Sequence, residues 1–182
     1  MSGTEAQRVR NLPEAQFTGK GPEACLQCHG GPNMTIMAET SHGDASDPHA
    51  PYAQQGCESC HGAGSFHVSS ARGGVGFPPL NDFKHLGSPK KGQFDTCLGC
   101  HAENSGSRIG IGWIGSIHDA SGMTCSTCHE VHSKENPLAD VTQQQNLCAS
   151  CHGLKNSKHE GLENSGMQLD TMKCTTCHNP HQ

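Results

Sequence analysis

The chain has 182 residues, 17 of them acidic and 12 basic, for a formal charge of −5. Only 32% are hydrophobic and 4% aromatic, with 23 glycines and 10 prolines and a mean hydropathy of −0.61, which excludes an ordinary aliphatic core. The longest basic run, Lys90-Lys91, excludes a nucleic-acid surface, and no apolar stretch reaches the roughly 20 residues of a bilayer span.

Such a chain folds only if cross-links or bound groups replace the missing core, and twelve cysteines and 14 histidines point to where those would attach. Residues 1–24 form a polar lead-in, expected to lie as an arm on the protein or on a partner. Its start has no apolar segment and is not a secretory signal. Cys25-Leu-Gln-Cys28-His29 follows, then His42, then Cys57-Glu-Ser-Cys60-His61 with His67 shortly after. From Ala71 to Pro79 and from Gly87 to Gly92 runs a Gly/Pro-rich linker, read as neither helix nor central strand. Cys97-Leu-Gly-Cys100-His101 comes next, then the loop Gly110–Gly115 around Trp113, His118, Cys125-Ser-Thr-Cys128-His129 and His132. A connection from Glu135 to Asn146, helical over Leu138–Gln145 in this reading, leads to Cys148-Ala-Ser-Cys151-His152. His159, Cys174-Thr-Thr-Cys177-His178 and His181 complete the chain.

No cysteine lies outside a motif. Disulfides, zinc ribbons and redox dithiols all use paired cysteines, yet none requires a histidine after the second one. Cys-x-x-Cys-His is the attachment signature of haem c: two thioethers hold the porphyrin edge and the adjacent histidine reaches the iron. Residues i and i+3 lie about one helical turn apart, which suits two sulfurs reaching one edge of the macrocycle. A short helical turn is therefore expected at each motif, with little regular structure between. The proximal ligands are His29, His61, His101, His129, His152 and His178.

Eight histidines remain, and internal repetition sorts them. The chain divides into three two-haem segments, about 25–67, 97–132 and 148–181. Each has a histidine between its two motifs (His42, His118, His159) and one after the second (His67, His132, His181). Six further histidines for six irons predict bis-histidine ligation throughout. His49 and His85 are left over, as solvated loop residues or as ligands to the haem of a neighbouring subunit. Two imidazoles on one iron hold their Cα atoms roughly 12 Å apart, whereas three residues span at most about 10 Å. His132 and His181 therefore serve a haem other than the one attached just before them, which forces macrocycles close together. Met34, Met37, Met123, Met167 and Met172 do not recur in register and are not read as ligands. Trp113 and Phe66 are candidates to pack on haem.

Ser41-His42-Gly43 followed by Cys57-Glu-Ser-Cys60-His61-Gly62-Ala63-Gly64-Ser65-Phe66-His67 resembles the opening of the periplasmic decahaem cytochromes of porin–cytochrome conduits. Ser116-Ile-His118 and His129-Glu-Val-His132 are similar to those proteins and to the pentahaem donors of periplasmic nitrite reduction. The resemblance implies an extended, mostly irregular fold with short helices, organised around a chain of covalently bound haems. It also implies electron relay to a terminal reductase or through an outer-membrane conduit, with redox proteins or a porin as partners. Six motifs, rather than five or ten, set this chain apart.

The expectation is a single hexahaem domain over 1–182 that transfers electrons and catalyses nothing. Its alternatives are a subunit of an extracellular cytochrome filament, or a multihaem reductase with one open haem. Haem attachment outside the cytoplasm makes it periplasmic or extracellular, its signal peptide lying outside this numbering.

Overall fold

The computed structural model describes residues 14–73, 80–83, 90–101, 113–153, 159 and 165–182. Among these the chain forms short helices and no strand, and its contacts gather in two compact units, Met1–Asp82 and Phe83–Gln182. The first unit contains α1 (Glu23–Leu26), α2 (Pro32–Thr35), 3₁₀ turns at Ile36–Glu39 and Ser41–Gly43, α3 (Pro51–Gln54), α4 (Glu58–His61) and α5 (Ser65–Gly73). In the second are α6 (Lys90–His101), α7 (Ile117–Ala120), α8 (Cys125–Cys128), α9 (Val141–Ala149) and 3₁₀ turns at Leu169–Thr171 and Cys174–Thr176.

Local chemistry sets where these short elements begin. Pro32 and Pro51 open α2 and α3 with a φ already suited to a helix. Ser116 caps α7 by accepting from the Asp119 amide, while Asp119 accepts from the Gly115 amide. The Asp140 carboxylate does the same for α9 through the Gln143 amide. Thr40 caps the Ser41–Gly43 turn that carries His42, and a Cβ on Gly43 would collide with the Met37 carbonyl. After α4 the chain turns away at Gly62, whose φ of 85° is unfavourable for any side chain larger than hydrogen.

Aliphatic packing is nearly absent. Among the described residues the buried apolar side chains are Ala24, Ala50 and Trp113, while Glu58, Gln93, Ser116 and Gln144 are buried polar ones. Ile114 and Ile117, on either side of Ser116, are 70% and 80% exposed. Among the described residues, eight large apolar side chains, Ile114 and Ile117 among them, are exposed rather than gathered into a core.

Three expectations need amending. Ala71–Gly73 ends α5 and Lys90–Gly92 begins α6, so the linker is helical at both ends. One glycine costs a helix only about 1 kcal/mol, which the adjoining turns offset. Residues 74–79 and 84–89 lie outside the described residues. The connecting helix runs over Val141–Ala149 instead of Leu138–Gln145, because Asn136 accepts from the Leu138 amide and holds that residue in a turn before the Asp140 cap. The third and fifth motifs end helices of 12 and nine residues rather than sitting on isolated turns. Part of the lead-in lies on its own unit: Gln16 bonds to Ser65, and Thr18 to Glu58.

A chain with this interior should not fold without its cofactor. With all twelve cysteines replaced by serine, thermal scans by far-UV circular dichroism are expected to show no cooperative transition. A sharp melt would show that the polypeptide packs by itself.

Candidate haem-binding sites

Five of the six motifs form the same turn. The amide of the proximal histidine donates to the carbonyl of the first cysteine at 2.9 Å in His29, 3.0 Å in His61, 2.9 Å in His129, 2.8 Å in His152 and 2.9 Å in His178. The sixth, Cys97 to His101, forms the last turn of α6. This i to i+4 bond closes one α-helical turn, which puts both thiols on one side and the imidazole just beyond them. None of the twelve cysteines forms a disulfide.

First cysteines meet in pairs, and the pairs are those of the three two-motif segments. Burial and then the adjoining Cys57 thiol push the Cys25 thiol up to about 11, and burial and Cys174 push Cys148 up to about 11. At Cys125 a hydrogen bond with Cys97 outweighs burial and brings the thiol down to about 7. Second cysteines also approach between segments, where Cys151 adds to burial in raising Cys128.

Buried polar ties hold these pairs in register. In the second segment Ser126, directly after Cys125, donates to the Phe83 carbonyl and to Oε1 of Gln93, which lies four residues before Cys97. In the third, Gln144, four residues before Cys148, accepts from the Thr175 amide at 3.0 Å and shares a bond with its hydroxyl. Gln145 beside it donates to the carbonyls of Leu169, Asp170 and Met172. The first segment uses Glu58, after Cys57, whose carboxylate accepts from the Thr18 amide and hydroxyl and from the Gly64 amide at 2.7 Å. Sequence reasoning missed these ties. A signal existed: glutamine four residues before the first cysteine of motifs three and five, and a hydroxyl or carboxylate directly after it in motifs two, four and six.

Imidazoles meet as well. An iron between two imidazoles, with bonds of about 2 Å on each side as in other metal–imidazole contacts, separates the ring centres by roughly 6 Å. His29 and His67 are 6.3 Å apart, His118 and His152 5.9 Å, His129 and His181 6.2 Å, and His159 and His178 6.1 Å. Each pair joins one proximal and one candidate distal histidine. His181 faces His129 instead of its near neighbour His178. Burial, then neighbouring imidazoles, lowers the pKa of His129 and His181, which favours the neutral ring that a metal requires. His61 Nδ1 lies 2.8 Å from the Asn81 carbonyl and His118 Nδ1 2.8 Å from that of Pro180. A proton on Nδ1 leaves Nε2 for iron. Asn81 and Pro180 carry no sequence signal for this role, because the carbonyl that acts is backbone.

Other predicted residues fall differently. His42 lies half-buried in the Ser41–Gly43 turn, and His101 and His132 both lie in the second unit. His49 is exposed, with its backbone held by Asp47 and Gln54, and His85 lies outside the described residues. Phe66 is 38% exposed. Trp113 is buried and stacks on His118, so its neighbour in this structure is a candidate distal imidazole. Residues 110–112 of its loop lie outside the described residues.

Thiol pairs on one-turn motifs, facing imidazoles at the span of one iron, and exposed isoleucines beside them fit haem c, and they define a multihaem c-type cytochrome. The chain belongs to the family of NrfB-like cytochrome c-type proteins, which it matches over residues 57–151. Residues 2–62 also match the family of cytochrome c554 and c-prime. The chain is 28% identical over 178 residues to the multihaem cytochrome MtrA of Shewanella baltica, covering 97% of this chain and 51% of that protein. It is 28% identical over 166 residues to the C-type polyhaem cytochrome OmcB of Geobacter sulfurreducens, covering 87% of this chain and 20% of that one. The chain thus spans about half the length of the first relative and a fifth of the second.

The Gln144–Thr175 tie is testable. In the haem-loaded protein Gln144→Ala is expected to lower the unfolding free energy by about 1–3 kcal/mol in a denaturant titration, since it removes a buried side chain and leaves the Thr175 amide without its acceptor. Gln143→Ala, one residue away and exposed, should stay within about 0.5 kcal/mol. Equal effects would remove the tie from the account.

Proposed function

We propose that the chain carries six haems c, one per Cys-x-x-Cys-His motif, each iron held by two imidazoles, and that it relays electrons. The observation that supports this most strongly is the set of four imidazole pairs at the spacing of a shared iron. On this reading the ligand pairs are His29 with His67, His152 with His118, His129 with His181, and His178 with His159. His61 and His42, both in the first unit, and His101 and His132, both in the second, complete the count. The thioethers form at Cys25 and Cys28, Cys57 and Cys60, Cys97 and Cys100, Cys125 and Cys128, Cys148 and Cys151, and Cys174 and Cys177.

Bound haem c supplies one-electron exchange between ferrous and ferric iron. The protein's part is positional. Two imidazoles per iron would leave no open position for substrate, so the histidines would hold the haem for electron exchange only. Paired first cysteines would bring the attachment edges of successive macrocycles together within each two-haem segment, and Cys128 with Cys151 would do so between the second and third segments. On this reading residues 1–182 act as one hexahaem relay.

Partners follow from this reading and from the resemblance: a donor and an acceptor redox protein, in the periplasm or outside the cell, with a porin conduit or a filament of repeated copies as possible settings. The acidic formal charge, deepened by haem propionates, favours basic docking faces on those partners.

The intact mass of the exported protein should equal the polypeptide plus six haems, and its ferric spectrum should be low-spin throughout. Protein-film voltammetry should show reversible electron exchange without a catalytic wave on adding nitrite. A high-spin fraction together with nitrite turnover would replace the relay with a reductase.

A further inference from the structure

Trp113 is the chain's single tryptophan and the one large apolar side chain buried among the described residues. Its indole lies against two candidate distal ligands at once. It stacks on His118, with ring centres 6.3 Å apart and planes at 22°, and meets His181 edge-on at 5.8 Å and 69°. Phe94 of α6 closes another side at 6.4 Å. The Ser116 amide donates to the Trp113 carbonyl, and Ser116 caps α7, so the indole is tied to the turn that carries His118. His118 bonds to the carbonyl of Pro180, the residue next to His181. The two imidazoles and the indole thus form one cluster.

The two ligands serve different irons in the assignment above, and their pairs differ in geometry. His118 crosses His152 at 74°, whereas His181 lies at 22° to His129. In ferric bis-imidazole haem the angle between ligand planes sets the splitting of the iron d orbitals. Near-perpendicular planes give an axial signal with a large maximal g value, and near-parallel planes give a rhombic one. A side chain wedged against both rings holds both angles.

One further feature points to the cofactor. Trp113 is 7% exposed, and its Nε1–H has no acceptor among the described residues. Buried donors are almost always satisfied, and the acceptors that haem brings at its periphery are its propionate carboxylates.

We propose that Trp113 is a positioning residue shared by two neighbouring haems: its indole fixes the planes of His118 and His181, and its Nε1–H donates to a haem propionate. This rests on the ligand reading given above. The donated hydrogen bond partly neutralises the carboxylate, so that carboxylate stabilises the ferric charge of its haem less and the potential rises.

The test compares electron paramagnetic resonance spectra and redox titrations of haem-loaded wild type with Trp113→Ala, Trp113→Phe, His118→Ala and His181→Ala. Trp113→Ala should alter two low-spin signals, one large-g and one rhombic, and leave the other four. Trp113→Phe keeps the ring and should keep both signals, while one haem shifts to lower potential above the propionate pKa. His118→Ala and His181→Ala should each turn one iron high-spin. If neither does, the ligand reading fails. If both do and Trp113→Ala leaves every signal in place or changes all six alike, the positioning role alone is overturned. Should Trp113→Ala not fold, wild-type potentials at every pH in Trp113→Phe would overturn the propionate bond.

Discussion

Two imidazoles roughly 6 Å apart leave room between them for one metal ion, and the rest of this structure follows from closing such pairs. His29 meets His67, His118 meets His152, His129 meets His181 and His159 meets His178. Each contact closes a loop of roughly twenty to fifty residues, at an entropic cost that grows only slowly with length. An aliphatic core would normally offset that cost, but here the buried apolar side chains among the described residues are two alanines and a tryptophan. On the proposed ligation, thioether and iron–imidazole bonds would take over that role, with the cofactors as both core and cross-links. This explains how a chain with a mean hydropathy of −0.61 can hold a defined arrangement.

Polar chemistry does the remaining work. Glu58, Gln93, Ser116 and Gln144 are buried, and each bonds to a segment that carries a motif or a candidate distal histidine. The second and third two-motif segments share one device, a glutamine four residues ahead of one motif joined to a hydroxyl inside the next. The first uses a carboxylate and the Thr18 backbone instead. The same purpose is served each time: first cysteines are brought into contact. Repetition therefore extends beyond the motifs to the contacts that pair them.

Much of this was legible in the sequence, and the parts that were share a cause. Cys-x-x-Cys-His is a local constraint, so its one-turn geometry could be read from spacing alone, and the i to i+4 bond recurs as that spacing requires. The three-residue separation of His178 and His181 likewise excluded one partner, and the structure places His181 beside His129. The choice of His129 was not legible, because it depends on how distant turns dock. Nor were the Asn81 and Pro180 carbonyls, since a backbone acceptor leaves no mark in residue identity. The helical ends of the linker were misread because glycine content was weighed without the helices that continue into it from Ser65 and toward Cys97. Gln93 and Gln144 were legible in principle, in register with the motifs, but a lone glutamine seldom signals burial.

The central claim is that each iron is shared by histidines from separate parts of the chain. An experimental structure of the haem-loaded protein tests it most directly. The account predicts iron between His129 and His181, between His118 and His152, between His29 and His67, and between His159 and His178. Methionine at any of these irons, or a haem of the His178 motif with a distal ligand other than His159, would contradict it.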